Sequence, residues 1–220
     1  MLMQMQPHLL PFYGLFLAVF CLVAIPFFYR LRMADFVIMD KIFSEKAYDE
    51  MIGKLFVRFP SFQKTGASAY KPGIGNMEFI DQLLGHPHRN YKVIHVAGTN
   101  GKGSVSHTLA AILQSAGYKV GLYTSPHLKD FSERIRVNGK PISEQYVIDF
   151  VREADEIIGK LNPSFFEITT LMAFTYFKHE NVDVAVIETG LGGRLDSTNI
   201  ISPVLSVVTN VSFDHVNLLG

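Results

Sequence analysis

The sequence has no tryptophan and one cysteine, Cys21. A single thiol cannot close an intrachain disulfide or build a multi-thiolate zinc site, and its isolation is consistent with a reducing compartment. Neither sign of charge is in excess: 20 Lys and Arg stand against 20 Asp and Glu, for a net charge of +0. That balance excludes bulk electrostatic attraction to nucleic acid or to an acidic membrane as the basis of function. Charged residues make up 18% of the chain and hydrophobic residues 48%, which excludes disorder as the dominant state. The 220 residues supply ample chain for a core.

Asp, Glu, Lys and Arg are missing altogether from residues 1–29, and Leu9 to Tyr29 is apolar except for Pro11, Gly14 and Pro26. A run of about 20 such residues is long enough to span a bilayer as a helix. Arg30 and Arg32 behind it would leave the remainder cytoplasmic. No basic segment precedes the run and no A-x-A site follows it, so it does not read as a secretory signal. Two readings remain: a membrane anchor over residues 9–29, or translated upstream sequence with Met33 or Met39 as the working start. Two prolines and a glycine weaken the helix and favour the second. Residues 1–40 are therefore taken as an apolar extension and 41–220 as a cytoplasmic domain.

From Ser44 the texture becomes that of a globular protein. Ala47, Tyr48, Met51, Leu55 and Phe56 fall at helical spacing behind a Ser44 N-cap, and Phe59-Pro60 ends that helix. Asn76 to Leu84 reads as a second helix, with a Gly- and Pro-containing loop over 65–73 between them. Strand and helix then alternate. Strands are expected at Tyr91–Ala97, Tyr118–Thr124, Val182–Ile187 and Pro203–Val208. Helices are expected at Lys102–Ala116, Ser143–Lys160 and Phe166–His179, the last apolar nearly all round and so buried. Apolar strands separated by helices predict an α/β fold with a mostly parallel sheet covered on both faces. There is no internal repeat.

The sharpest feature lies between the first strand of that series and its helix: Gly98-Thr99-Asn100-Gly101-Lys102-Gly103-Ser104. Glycines let backbone N–H groups turn inward toward an anion, and the helix that follows aims its positive end at the same place. Lys102 adds a full charge for outer phosphates, and Ser104 offers a hydroxyl beside a Mg²⁺ position. The usual G-x-x-x-x-G-K-[ST] spacing is not met, because Val96 stands five residues before Gly101 and Gly103 follows Lys102. The plainer alternative, a glycine-rich turn without a ligand, would not need the lysine at the helix start.

This loop resembles the nucleotide loop of the Mur ligase superfamily. With Gly after Lys it resembles the folylpolyglutamate synthase/dihydrofolate synthase family in particular. Further blocks are similar to that family's signatures and stand in its order: Tyr123 to Leu128 (YTSPHL), Phe131 to Gly139 (FSERIRVNG), Ser164 to Thr170 (SFFEITT), Glu188 to Asn199 (ETGLGGRLDSTN), and Asp214-His215. The resemblance covers about residue 45 to Gly220; residues 1–40 match nothing in it. The implied architecture is a P-loop-type, Mur-ligase-like ATP-binding domain.

Each block carries a plainer reading beside the implied one. Glu188 closes a strand, where a carboxylate faces the ligand crevice of an open α/β sheet and can hold Mg²⁺, or can simply cap the next loop. Mg²⁺ prefers oxygen ligands, so His215 is not nominated by chemistry, and Ser125 alone passes as a turn hydroxyl before Pro126. The resemblance implies two Mg²⁺ held by Ser104, Ser125, Glu188 and His215, the second of them by Ser125, Glu188 and His215. It also implies that Leu195, Asp196 and Ser197, and the stretch Ser164, Phe165, Phe166 and Glu167, contact a pterin substrate. Core packing is the alternative for the two phenylalanines. Lys129, Glu133 and Arg136 read as solvated loop charges, and His86, His88 and Arg89 as surface.

The activity the resemblance implies is ATP-dependent amide formation. A dihydropteroate or folate carboxylate would be activated as an acyl phosphate and captured by L-glutamate, with Lys102, Glu188 and His215 as the catalytic set and ATP and Mg²⁺ as cofactors. The expected chain is monomeric, binds small molecules, and needs neither nucleic acid nor a membrane. The family's proteins are about twice as long, with a C-terminal glutamate-ligase domain and a lysine beyond the matching histidine, so the chain by itself is expected to bind nucleotide but not to form the amide. Two other readings stay open: a Mur-type cell-wall peptide ligase, against which Gly103 and the S-P-H-L and L-G-G-R-L-D blocks count, and a membrane-anchored, non-catalytic nucleotide-binding module.

Overall fold

The computed structural model describes residues 46–59, 73–158 and 161–216. The chain divides into two compact units, Met1–Lys46 and Ala47–Gly220, and the second carries the sheet and its helices. The apolar run over 9–29, the Ser44 cap and most of the loop expected over 65–73 lie outside the described residues. Among the described residues no helix is long and apolar enough to cross a membrane.

Helix α1 covers residues 46–58 and α2 covers Gly75–Leu83. Strand β1 (Lys92–Ala97) leads through the glycine-rich loop into α3 (Lys102–Ser115) and then β2 (Val120–Tyr123). A hairpin of β3 (Ile135–Val137) and β4 (Lys140–Pro141) follows, then α4 (Glu144–Ile158), α5 (Phe165–His179), β5 (Val184–Glu188) and β6 (Leu205–Val208). The sheet order is β4-β3-β2-β5-β1-β6. Strands β2, β5, β1 and β6 run parallel, and β3 and β4 are antiparallel additions at one edge.

The four parallel strands match the sequence expectation, whereas the hairpin was not expected. Its signal was the dipeptide Asn138-Gly139, both with positive φ (48° and 76°), as a two-residue hairpin turn requires. Asn138 Oδ1 also accepts the Val120 amide at 2.8 Å, which ties the turn to β2.

Strand β5 is buried along its whole length because both faces are covered. Val184 and Val186 pack with Ile94, Val96, Val120 and Leu122 beneath α3. Ala185 and Ile187 join the larger core, which contains most of α5 and the stripe Val147, Ile148 and Ala154 of α4. Helix α5 is buried on nearly every side, in line with its apolar sequence. Its Phe177 ring presses so closely on β2 that a Cβ on Gly121 would come within 2.7 Å of it.

Two readings of surface charge are corrected. The His86/His88/Arg89 stretch is not simply surface: His88 is buried, and both histidines close on the buried Asp81, with Nδ1 to carboxylate distances of 2.6 Å for His86 and 2.8 Å for His88. Burial pushes the Asp81 carboxyl up, but hydrogen bonds from His88 and His86 outweigh it and the net direction is down. Glu133 is not an idle solvated charge either. Its carboxylate accepts the amides of Leu128 (2.9 Å), Lys129 (3.2 Å) and Asp130 (3.1 Å), closing a capping box with Asp130. Arg136 donates to the carbonyls of Glu133 (3.2 Å) and Gly139 (3.3 Å).

Candidate active site

The carboxyl ends of β1, β5 and β2 meet where an open parallel sheet collects its ligands. Strand β1 ends at Ala97, and the chain turns at Gly98 with φ of +134°. A Cβ there would stand 2.1 Å from Thr209 Oγ1, so only glycine lets the loop pass the segment after β6. That segment holds the loop by its backbone. Thr99 N donates to Asn210 O (3.0 Å), Asn100 N to Asn210 Oδ1 (2.9 Å), and Thr209 Oγ1 to Asn100 O (2.7 Å). Thr99 Oγ1 donates to Ser212 O (3.1 Å) and accepts from Ser212 N (3.0 Å).

Gly101, left-handed at φ +82°, is the N-cap of α3, and no side chain caps the first turn. The amides there and the positive end of the helix face outward as an anion seat. Lys102 Nζ folds back on the carbonyls of Gly98 (2.8 Å) and Thr99 (3.1 Å), a solvent-side position from which it can turn to a phosphate. Gly103 packs toward Glu188, whose carboxylate oxygens would lie 3.8 and 3.9 Å from a Cβ. Ser104 is exposed on the next turn position.

Glu188 is the last residue of β5 and only 4% exposed. Its Oε2 accepts the Ser125 amide at 3.1 Å, bringing the Y-T-S-P-H-L block against the end of β5. Burial raises the Glu188 carboxyl, offset in part by the Ser125 amide and the charges of Lys102 and Arg134. Arg134 is itself buried; its Nε donates to His127 Nδ1 at 2.7 Å and its guanidinium lies 5.3 Å from the Phe165 ring centroid. His215 is exposed, at φ +50°, with Nε2 3.7 Å from Asp214 Oδ2. It lines a cleft of about 700 Å³ together with Gly98, Thr99, Lys102, Gly190 and Leu191.

Among the described residues no three His, Cys, Asp or Glu side chains converge to hold a metal. The donors present are the buried, destabilised carboxylate of Glu188, Ser125, which meets it through its amide, the exposed Ser104, and the exposed His215 in the cleft. That set fits a hard cation such as Mg²⁺, which takes one or two carboxylates and completes its shell with water and substrate phosphate.

The residues expected to contact a pterin have local roles. Ser164 and Glu167 form the capping box of α5: Ser164 N donates to Glu167 Oε2 (2.6 Å), and Glu167 N to Ser164 Oγ (3.2 Å). Phe165 is buried and stacks on Phe56 with centroids 4.5 Å apart. Phe166 remains partly exposed, and its ring lies so close beneath Gly190 that a Cβ there would stand 2.4 Å from it. Leu195 is 40% exposed and Ser197 half-buried. Asp196 is buried with every acceptor site engaged: Oδ2 takes the amides of Gly190 (2.9 Å) and Leu191 (2.7 Å), and Oδ1 takes the amide (2.9 Å) and hydroxyl (2.5 Å) of Thr198. Burial raises its carboxyl against these bonds.

Sequence reasoning gave no role to Thr209, Asn210 and Ser212, which brace the glycine-rich loop over 98–104. It also passed over His95 and Thr198, joined across the sheet at 2.8 Å. Polar residues after an apolar strand signalled the first group; nothing in the sequence pairs the second.

Known proteins resemble this chain in sequence and in fold. Residues 96–220 match the family model of the Mur ligase middle domain. The dihydrofolate synthase/folylpolyglutamate synthase of Bacillus subtilis is 46% identical over 157 residues, covering 68% of this chain and 36% of that protein. The folylpolyglutamate synthase of Lacticaseibacillus casei is 46% identical over 169 residues, covering 74% and 38%. Among solved structures, the folylpolyglutamate synthase of Thermotoga maritima superposes with a TM-score of 0.69 at 43% identity over 77% of this chain and 39% of that one. The E. coli FolC complex with DHPP and ADP superposes with a TM-score of 0.71 at 36% identity, over 79% and 40%. The chain thus spans 36–38% of the length of these curated relatives.

Proposed function

The chain belongs to the Mur ligase family through its middle domain, and from that premise we propose that it is the ATP-binding portion of a ligase joining L-glutamate to dihydropteroate or folate. The observation that carries the reading is the uncapped Gly98–Ser104 loop with Lys102 at its helix start, set beside the buried Glu188. The names of the similar proteins supply the substrate class, and a similar structure holds ADP and DHPP.

A carboxylate is a poor electrophile, so it must first be activated. Its oxygen bonds to the γ-phosphorus while the bond from that phosphorus to the ADP oxygen breaks. The glutamate amine then bonds to the acyl carbon, phosphate leaves, and the nitrogen loses a proton. Alignment and charge neutralisation do most of the work in such a transfer. The α3 amides seat the phosphates, and Lys102 exchanges its carbonyl partners for phosphate oxygens. The loop between β5 and β6, held by Asp196, walls the cleft. Glu188 and Ser125, with Ser104 and His215, would hold Mg²⁺, which when bound neutralises charge on the phosphate oxygens. The reactants are small molecules and not nucleic acid; we read the chain as a cytoplasmic monomer, with attachment to a membrane through residues 9–29 as the alternative, and the chain by itself binds nucleotide without completing the amide.

Thermal unfolding of the chain with and without Mg·ATP tests the reading. Saturation at about 100 times the dissociation constant adds about 2.7 kcal/mol, a rise of several degrees in Tm. Lys102→Ala should abolish the rise. A wild-type Tm that stays flat at millimolar Mg·ATP overturns the proposal, and a rise with a UDP-linked peptide but none with dihydropteroate redirects it to cell-wall chemistry.

A further inference from the structure

A buried line of hydrogen bonds runs from the middle of β1 to the wall of the cleft. His95 stands three positions before Gly98, its side chain on the face of the sheet opposite α3. It is 8% exposed, Thr198 0% and Asp196 3%. His95 Nε2 lies 2.8 Å from Thr198 Oγ1, Thr198 Oγ1 lies 2.5 Å from Asp196 Oδ1, and Asp196 Oδ2 receives the Gly190 and Leu191 amides. Three backbone amides donate to the Asp196 carboxylate and the Thr198 hydroxyl is directed at its Oδ1; a carboxylate held by four donors can only accept. The Thr198 hydroxyl proton therefore goes to Asp196, and the hydroxyl oxygen accepts from His95. This assigns the neutral Nε2–H tautomer to His95.

Four donors meet the two oxygens of Asp196, so its carboxylate is fully engaged by the chain's own atoms. Its orientation then depends on what stands behind it. Thr198 supplies two of the four bonds, and His95 fixes the hydroxyl that makes one of them. Gly190 and Leu191 line the same cleft as Gly98 and Lys102, and their amides point away from it into Asp196.

We propose that His95 and Thr198 are positioning residues that, acting through Asp196, hold the Gly190–Leu191 backbone as a fixed wall of the phosphate cleft. That this wall faces Mg·ATP rests on the function proposed above; the hydrogen-bonded line does not. Neither side chain reaches the cleft, and both act at a distance on its shape.

The test uses the ¹⁵N-labelled chain and reads amide hydrogen exchange at Gly190 and Leu191 beside Mg·ATP affinity. Thr198→Val keeps the shape and removes the hydroxyl. It should accelerate exchange at these two amides about tenfold or more, relative to amides of β5 and α3, and weaken Mg·ATP about tenfold. Thr198→Ser restores the hydroxyl and should keep both near wild type. His95→Phe should loosen the same two amides and His95→Gln, which can donate, should not; this pair decides the matter if Thr198→Val fails to fold. The ¹⁵N shifts of the His95 ring should report a neutral Nε2–H form at pH 7. Unchanged exchange at Gly190 and Leu191 in folded Thr198→Val, or an Nδ1–H imidazole, overturns the proposal. If exchange behaves as expected while the wild-type chain ignores Mg·ATP, the positioning stands and the proposed function falls.

Discussion

Replacing Gly98 with alanine tests whether the phosphate loop is shaped by the segment after β6. Two costs meet at this position. The φ of +134° is a conformation essentially restricted to glycine, worth about 1–3 kcal/mol for an alanine forced into it. The added methyl would stand 2.1 Å from Thr209 Oγ1, 3.0 Å from Asn210 O and 3.1 Å from Asn210 N. Relieving that overlap costs about 1–3 kcal/mol more. The expected loss is therefore about 2–6 kcal/mol, and the shift must disturb Thr209 and Asn210, whose bonds hold Asn100. Gly101 is the control: its φ is +82° but nothing lies within 4 Å of a Cβ, so Gly101→Ala costs only the conformational part, about 1–2 kcal/mol. Urea unfolding gives the stabilities and calorimetric titration the Mg·ATP affinities. Thr209→Ala removes the atom in deepest overlap, so the double variant Gly98→Ala/Thr209→Ala should recover about 1 kcal/mol or more relative to the sum of the single changes. Equal costs at Gly98 and Gly101, or strict additivity with Thr209→Ala, would refute the reasoning.

Other outcomes follow from the buried charges and the second tight glycine. Burial raises the Glu188 carboxyl above its ordinary 4.5, so this group penalises the fold once ionised; its contribution falls as pH rises from 4.5 through the raised value. Glu188→Gln should then raise the urea midpoint of the ligand-free chain at pH 7 while weakening Mg·ATP, and a destabilised Gln variant contradicts that account. His95 behaves in the opposite sense: burial lowers its pKa from 6.5 to about 4, so folding favours the neutral ring. Stability should decline as pH falls from 6.5 toward 4, by up to about 3 kcal/mol, and His95→Gln should flatten that part of the urea-midpoint profile. The net lowering of Asp81 means that its stabilising bonds to the two histidines are lost only as pH falls below its ordinary 3.8 toward the lowered folded value. Asp81→Asn should accordingly lower the urea midpoint at pH 7 and remove that acid limb. At Gly190 a methyl would come within 2.4 Å of the Phe166 ring, so Gly190→Ala should destabilise by about 1–3 kcal/mol, with Phe166→Leu restoring part of the loss.

Much of this molecule is legible where a residue's surroundings lie close to it in sequence. Strands β1, β2 and β5 are largely apolar runs whose neighbours are helices, and their burial follows from that; β6 reads the same way in sequence, yet Leu205 and Val208 stand exposed, so the sheet is not covered at that edge. The phosphate loop is legible for the same reason: glycine, lysine and the start of α3 are consecutive, so backbone shape and charge coincide within a few residues. The β3–β4 hairpin was within reach too, since Asn138-Gly139 is a turn signal that needs no tertiary information.

What escaped depends on partners far along the chain. Asp81 reads as one more helix acid until His86 and His88 fold back on it. Glu133 reads as a loop charge because its three partners are backbone amides, which have no letter in the sequence. Asp196 stands in a run whose family resemblance implies a ligand contact, yet its oxygens are taken by its own loop and by Thr198. Thr198 in turn is oriented by His95, 103 positions earlier. A buried carboxylate must have its acceptors filled, and sequence alone does not say whether a ligand or the chain will fill them. The glycine-rich loop proposed to seat phosphate is therefore written in consecutive letters, while the residues that brace it are written across the sheet.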